Sequence, residues 1–456
     1  MKLVGRPVGT AAAVRLPEHA RGLGAMRGLL VGWGLVTVAF HLLTFILPRD
    51  FEGIGRIATL GSGIPWCLFA FSMSRSALRL CAPIVGVFVL QMWSVFTTVH
   101  AWIVLGRPST VQRPEMYLLE AVIPFFLASA LVYIEPQARK WVLGMVVAAF
   151  SLSCLVGLLQ FARFGPAISL SHLYTYKSID FWDGTPGVRA VGLTWHPRAL
   201  AFQALVCLAV FMGRLLEGQA RKGEVALLFA YSAAVLATQA RMAYFVFAAC
   251  WLVFLVLLFR RNPKLAGGLV LAGMIALAAA VAVAPKRFGY ALQSQSTGKD
   301  ASYQYRVDNA WSQLDPILEQ HALTGIGPDQ VMMFGTEPLV VDRWGGRALM
   351  ESGYRLFLAM YGIPGLVLVV AVLLLAFGSV FQVMRRPAPG WDRRMAAMVV
   401  LAALLYVAFN FYSSNLVDEV MPLPFTFLLG GLLMRDAADE RVARSRSIGV
   451  REAAAA

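Results

Sequence analysis

Long apolar runs, separated by short polar connections, make up most of the chain. Most runs have roughly the 20 residues that a helix needs to cross a hydrocarbon core of about 30 Å. Charged residues are rare inside the runs and frequent between them. The pattern predicts about twelve transmembrane helices. They lie at residues 28–47, 57–73, 80–104, 116–134, 141–162, 195–213, 224–239, 242–259, 265–284, 356–384, 395–412 and 417–434.

Composition favours a lipid environment over a soluble fold. Hydrophobic residues fill 59% of the 456 positions and charged residues only 14%, which is more apolar surface than a soluble core of this length can hide. We therefore predict an all-α, polytopic integral membrane protein. Its single transmembrane domain spans residues 28–434, between a cytoplasmic N-terminal arm at 1–27 and a cytoplasmic tail at 435–456.

Basic residues collect on one side of the predicted helices. If both termini are cytoplasmic, every short inner loop carries arginine or lysine, as the positive-inside rule requires. The net charge of +15 thus indicates topology. Nucleic-acid binding is the competing explanation, but no basic stretch alternates with aromatic residues or lies in a soluble module. The inner basic residues are Arg75, Arg79, Arg139, Lys140, Arg214, Arg221, Lys222, Arg260, Arg261, Lys264, Arg385, Arg386, Arg393 and Arg394.

Two outer segments are much longer than a connection requires. They cover residues 163–194 and, between the ninth and tenth predicted helices, residues 286–350. Long loops outside the membrane often carry function. Both segments contain aromatic and amide side chains, which suit sugars because rings stack on sugar faces and amides bond to hydroxyls. A structured lid without a ligand fits the composition equally well.

Two arginines stand at the outer ends of predicted helices. Arg189 closes the first long outer segment, and Arg241 lies in a turn between two apolar runs. A guanidinium at this depth is costly unless an anion or a hydrogen-bond acceptor meets it, and its planar shape suits phosphate. For one interfacial arginine taken alone, snorkelling to lipid headgroups is the alternative.

Four segments of the chain carry motifs in a recognisable order. They are VRAVGLTWHPRALAF (188–202), LATQARMAY (236–244), SYQYRVDNAWSQLDPILEQHALTGIGPDQ (302–330) and ESGYRLFLAMYGIPGL (351–366). In order and spacing they resemble the bacterial O-antigen ligase and Wzy-type polysaccharide polymerase superfamily. The first segment matches its R-x-x-G pattern, the second is similar to its T-x-S-R-x-A pattern, the third is similar to its S-x-x-x-R and G-x-G-P patterns, and the fourth matches its Y, G and G positions.

The resemblance implies a glycosyltransferase at the periplasmic face of the bacterial inner membrane. Such enzymes move a glycan from undecaprenyl diphosphate to a hydroxyl of an acceptor glycan. The lipid-linked oligosaccharide, the acceptor glycan and membrane lipids are then the partners, and a chain-length regulator and export proteins are further ones. No nucleotide sugar, metal ion or other cofactor is expected, and no nucleic acid.

The resemblance also assigns roles to residues. Arg189 and Arg241 are expected to stabilise charge on the leaving diphosphate, and Glu351 stands where ligases of this superfamily have a histidine that is the suspected base. A carboxylate can accept the proton, but Glu351 can equally cap the helix that follows it. The expected substrate-binding residues are Arg306, Tyr354, His196, Arg198 and Arg355.

Three functions stay open on the sequence. The missing histidine favours a polymerase of an exopolysaccharide or O-antigen pathway over an O-antigen ligase acting on lipid A-core. A lipid-linked oligosaccharide flippase is the alternative from another class, because buried arginines could also meet a diphosphate there. Transporters often have two related halves and helices interrupted near the middle of the bilayer, and neither is recognisable in this sequence.

Overall fold

The structure is a computed structural model of the chain, and the residues it describes are helical apart from turns and short connections. No β-strand occurs among them. The prediction of an all-α protein is therefore confirmed for this part of the chain. The described residues are 19–44, 46–73, 80–104, 114–174, 189–194, 196–218, 222–283, 319–327, 353–385, 391–413 and 422–434.

Each of the twelve predicted runs overlaps a helix, and one short helix, α6, lies within the first long outer segment. The helices are α1 (His19–Leu43), α2 (Arg49–Met73), α3 (Ala82–Ile103), α4 (Pro114–Ile134), α5 (Ala138–Phe161), α6 (Gly165–Ser171), α7 (Pro197–Leu216), α8 (Lys222–Ala237), α9 (Arg241–Arg261), α10 (Pro263–Val283), α11 (Gly353–Arg385), α12 (Trp391–Ser413) and α13 (Pro422–Gly431).

Within the described ranges, six helices are long and apolar enough to cross a membrane. These six are α1, α3, α5, α7, α9 and α11. Five further helices contain shorter apolar stretches of 10–17 residues. This is the pattern of a multi-pass membrane protein. The count of twelve spans and the long loop at 286–350 stay predictions.

The centre of the bundle is α7. Its buried residues run around the whole helix, and nearly all of the helix is buried inside the protein. Four helices pack around it: α5, α8, α9 and α12. A helix that is hydrophobic on all sides is stable in such a position because no face has to meet lipid headgroups or water.

Two arginines at the predicted inner end cap neighbouring helices. Arg139 is buried, and its Nε and Nη2 atoms donate to the carbonyls of Leu432 and Met434 at 2.8 and 2.6 Å. Arg261 donates to the carbonyl of Leu216 at 2.6 Å. The last carbonyls of a helix lack intrahelical donors. These basic residues therefore close the C-terminal ends of α13 and α7, in addition to any effect of their charge on topology.

Candidate active site at the outer end of the bundle

The loop before α7 is built into the bundle by one glutamine of α5. Gln160 is fully buried, and its Oε1 atom accepts from the backbone N–H groups of Val191 and Gly192 at 3.0 and 2.8 Å. Its Nε2 atom donates to the carbonyls of Ala167 and Gly192, both at 3.2 Å. Buried backbone groups must find partners. One side chain thus holds the loop between α6 and α7 against the bundle.

Gly192 makes this close packing possible. It has a φ of +62°, and a Cβ atom there would lie 2.5 Å from the carbonyl oxygen of Ser153. The Ser153 hydroxyl accepts from the N–H of Leu193 at 3.0 Å. Only glycine adopts a positive φ freely and leaves room for such an approach. This is the glycine of the R-x-x-G pattern, and its role is structural.

Arg189 contacts the turn between α8 and α9. Its Nε atom donates to the carbonyl of Thr238 at 3.3 Å, and Nη2 donates to the carbonyl of Gln239 at 3.1 Å. Next to it, the N–H of Ala190 donates to the carbonyl of Ala237 at 3.1 Å. The guanidinium therefore binds the loop before α7 to the turn before α9. This contact gives Arg189 a structural task besides the one expected from the sequence.

Arg241 is the first residue of α9, two positions after Gln239. The structure accordingly brings the Arg189 guanidinium beside the start of the Arg241 helix. The residue before it, Ala240, has no side-chain acceptor to cap the helix, and uncapped N–H groups at a helix N-terminus attract anions. The side chain of Arg241 lies outside the described part of the structure, so its direction stays a prediction.

His196 forms the N-cap of α7. Its Nδ1 atom accepts from the backbone N–H of Arg198 at 3.1 Å, and Pro197 follows as the first helical residue. The Thr194 hydroxyl donates to the carbonyl of His196 at 2.9 Å. Side-chain acceptors at the N-cap and proline at the next position both favour a helix start. The expected substrate contact of His196 stays a prediction beside this capping role.

The outer part of α12 connects the starts of α7 and α11. The Tyr406 hydroxyl donates to the carbonyl of Arg198, and the Tyr354 hydroxyl donates to the carbonyl of Ala408 at 2.9 Å. Arg355, beside Tyr354, is half-buried. Arg198 and Tyr354 therefore flank the same two turns of α12.

α11 is interrupted near its start. Gly362 has φ 68° and ψ −173°, a conformation that is essentially restricted to glycine. Pro364, two residues later, has no N–H group and cannot bond to the carbonyl of Met360. The interruption therefore leaves carbonyls of the first turns without their usual helical donors.

Residues 319–327, which we call the docking turn, supply those donors. Three backbone hydrogen bonds join it to the interruption: Ile326 N–H to the Ala359 carbonyl (2.9 Å), Gly327 N–H to the Met360 carbonyl (3.1 Å) and Ile363 N–H to the Ala322 carbonyl (2.7 Å). The indole N–H of Trp93 donates to the next carbonyl, that of Tyr361, at 2.8 Å. Every carbonyl from 359 to 361 is thus satisfied from outside the helix.

The glycines of the G-x-G-P pattern permit this docking. A Cβ atom on Gly325 would collide with the carbonyl of Met360, and one on Gly327 would lie 2.8 Å from Cβ of Ala101 in α3. Both glycines have positive φ values. The pattern is therefore a device for backbone contact, which the sequence alone did not reveal. It holds α11 at residues 359–363, in the second and third turns of the helix.

Of the eight predicted site residues, the structure describes the side chains of five and the backbone of one more. Arg189, His196, Arg198 and Tyr354 share one end of the bundle through the contacts above, and Arg355 is adjacent to Tyr354. Arg241 begins α9 at the same end. Glu351 and Arg306 lie outside the described residues, so their positions stay predictions.

Sequence reasoning missed Gln160, Tyr406 and the docking turn's role. The available signal was a lone glutamine in the predicted run 141–162 and a tyrosine in the middle of the run 395–412. In the described ranges no three His, Cys, Asp or Glu side chains gather as a metal site, and metal independence stays a prediction.

The comparison with protein families agrees with this geometry. A family model described as O-antigen ligase matches residues 226–370, from α8 to the middle of α11. The matched stretch includes Arg241, the docking turn and Tyr354, and it stops short of Arg189 on the N-terminal side. A search of curated proteins found no match. Over residues 226–370 the chain is therefore similar to the O-antigen ligase family, and the resemblance seen in its sequence is confirmed there.

Proposed function

We propose that this protein is a polysaccharide polymerase of an exopolysaccharide or O-antigen pathway. It transfers a glycan from an undecaprenyl diphosphate-linked donor to a hydroxyl of an acceptor glycan. The transfer reaction takes place at the periplasmic face of the inner membrane, and both termini lie in the cytoplasm. The O-antigen ligase family match supports this class of enzyme. The observation that carries the proposal is the contact of Arg189 with the turn from which the Arg241 helix begins.

Positive charge at this turn serves the leaving group. When the bond between the anomeric carbon and the diphosphate oxygen breaks, negative charge grows on that oxygen. Preorganised cations and helix N–H groups stabilise such charge more in the transition state than in the ground state. Arg241 and the N-terminus of α9 contact the diphosphate in this mechanism, and Arg306 adds a third group from the outer loop.

Arg189 acts mainly as a positioning residue in this mechanism. Its two hydrogen bonds to the carbonyls of Thr238 and Gln239 hold the turn on which Arg241 stands. A shift of about 1 Å in a catalytic group can lower a rate roughly a hundredfold. Fixing this turn therefore matters to the rate even where Arg189 does not touch the diphosphate.

Glu351 is the proposed base. The acceptor hydroxyl attacks the anomeric carbon and passes its proton to the carboxylate, while the lipid diphosphate leaves. The docking turn supports this role because it holds the first turns of α11, which begin two residues after Glu351. Tyr354, Arg355, Arg198 and His196 are the proposed sugar contacts beside it. Helix capping by Glu351 is the alternative that the experiment must separate.

The reaction itself can be tested with purified protein. The donor is the lipid-linked oligosaccharide extracted from the native strain after deletion of the gene for this protein. The protein is reconstituted in vesicles with EDTA and without nucleotide sugar. We expect a ladder of longer glycans. Transfer only to lipid A-core would establish a ligase instead, and transbilayer movement of intact donor without transfer would establish a flippase.

Variants test the assignment of the residues. Arg241→Ala should abolish the ladder, whereas Arg260→Ala, at the opposite end of the same helix, should leave it unchanged. Glu351→Gln should slow transfer by about a hundredfold or more, the usual contribution of a positioned base. Glu351→Ser separates the two roles because serine caps a helix well but cannot act as this base. Wild-type turnover in Glu351→Ser would show that Glu351 is only a cap.

A further inference from the structure

Asn410 is a buried amide whose hydrogen-bonding groups are unused. Its side chain is 4% exposed, and neither Oδ1 nor Nδ2 has a hydrogen-bond partner in the structure as described. Burying an amide without partners costs roughly 1–3 kcal/mol by mutational measures. A leucine, which has the same branched shape, would avoid that cost. The position therefore holds a polar group that the described part of the chain leaves unpaired.

Asn410 lies where the predicted substrate-binding residues meet α12. It is four residues after Tyr406, so the two side chains share one face of the helix. Tyr406 donates to the carbonyl of Arg198, and Ala408 accepts from Tyr354. Four residues advance a helix by about 6 Å. Asn410 is thus about one turn nearer the outer end than the contact with Arg198.

The chemistry of the amide indicates the kind of ligand. A carboxamide offers N–H donors and a carbonyl acceptor side by side. A sugar hydroxyl both donates and accepts, and neighbouring hydroxyls can bind one carboxamide through both of its groups. A diphosphate only accepts, and arginines already serve it at this end of the bundle. The vacant donor and acceptor of Asn410 therefore match a glycan better than the lipid diphosphate.

We propose that Asn410 binds hydroxyl groups of the glycan during transfer, an inference that rests on the proposed polymerase function. The amide then makes its hydrogen bonds to the substrate. This explains why a residue that costs stability occupies a buried position on the stretch of α12 that contacts Arg198 and Tyr354. Buried groups at binding sites often lower stability in this way.

Asn410→Leu tests the inference because it removes the amide and keeps the number and branching of the side-chain heavy atoms. The unfolding midpoint in detergent should equal or exceed that of the wild type. Binding of the extracted lipid-linked oligosaccharide should weaken about tenfold, as loss of two neutral hydrogen bonds predicts. Binding of bare undecaprenyl diphosphate should not change. Asn410→Ala carries the same test if leucine does not fit.

The control is Ser129→Ala. Ser129 is fully buried in α4, its hydroxyl has no partner in the described structure, and it lies near Gly431 at the predicted inner end. Its replacement should leave binding of both lipids unchanged. Equal binding of the lipid-linked oligosaccharide by Asn410→Leu and wild type would overturn the inference. It would also be overturned if Asn410→Leu weakened the binding of bare undecaprenyl diphosphate as much as that of the lipid-linked oligosaccharide. Failure of the polymerase proposal looks different: the wild type would then bind the lipid-linked oligosaccharide without extending it.

Discussion

Gly362→Ala should destabilise the protein strongly through the docking turn. The residue has φ 68° and ψ −173°, and a methyl group there would collide with the carbonyl of Leu323 in that turn. Alanine in this conformation costs about 1–3 kcal/mol. If the turn moves away to make room, losing two of its three backbone hydrogen bonds adds about 1–3 kcal/mol. We expect a total loss of about 2–6 kcal/mol.

Gly378→Ala in the same helix is the matched control. A Cβ atom at Gly378 meets nothing within 4 Å, and alanine stabilises a helix interior by up to about 1 kcal/mol over glycine. Unfolding of both variants in the same detergent should therefore give midpoints on opposite sides of the wild-type value. Turnover should also fall in Gly362→Ala, because the start of α11 beside Glu351 would shift. Equal midpoints and turnover for Gly362→Ala and wild type would refute this account of the docking turn.

Buried polar contacts allow two further tests. Gln160→Leu should lower the free energy of unfolding by about 2–6 kcal/mol, because the N–H groups of Val191 and Gly192 lose their acceptor. Proteases should then cleave residues 189–194 faster, and an unchanged cleavage rate would contradict the expected loss of stability. Arg139→Ala should lower the unfolding midpoint without altering turnover, because the contacts of Arg139 cap α13 at the opposite end of the bundle. A loss of turnover in a variant that is as stable as the wild type would argue against that placement.

The helices could be predicted because their cause is local. A run of apolar residues long enough to cross a bilayer needs no distant partner to become a helix. The predicted run at 195–213 coincides with α7, and Pro197 marks its start as proline at a first helical position does. The short helix α6 was not predicted, because its seven residues are too few to show a period.

The interruption of α11 depends on a partner distant in the chain. The predicted run at 356–384 treats Gly362 and Pro364 as part of one helix, although both residues are visible in the sequence. Their effect depends on the docking turn, some 35 residues earlier, whose N–H groups replace the missing donors. Hydrophobic periodicity cannot report such a pairing. The resemblance to the family drew attention to Gly362 but did not explain its role.

The candidate site could be predicted only where its signal is local to the sequence. Arg189 and Arg241 drew attention because charge at the end of an apolar run is costly. Their relation could not be read from the sequence, since the guanidinium of Arg189 meets backbone carbonyls of a turn about 50 residues away. Asn410 gave no signal, because a buried amide becomes informative only when its missing partners are known.

The central position of α7 has a consequence for biosynthesis. The helix emerges from the ribosome long before α12, yet α12 covers one of its faces and receives the Tyr406 contact to Arg198. That face has to be shielded by lipid tails or by an insertion chaperone until the C-terminal third has been translated. Truncated chains ending before α12 should therefore be captured by membrane quality-control proteases, and late insertion of α12 should be the step that commits the nascent protein to its final assembly.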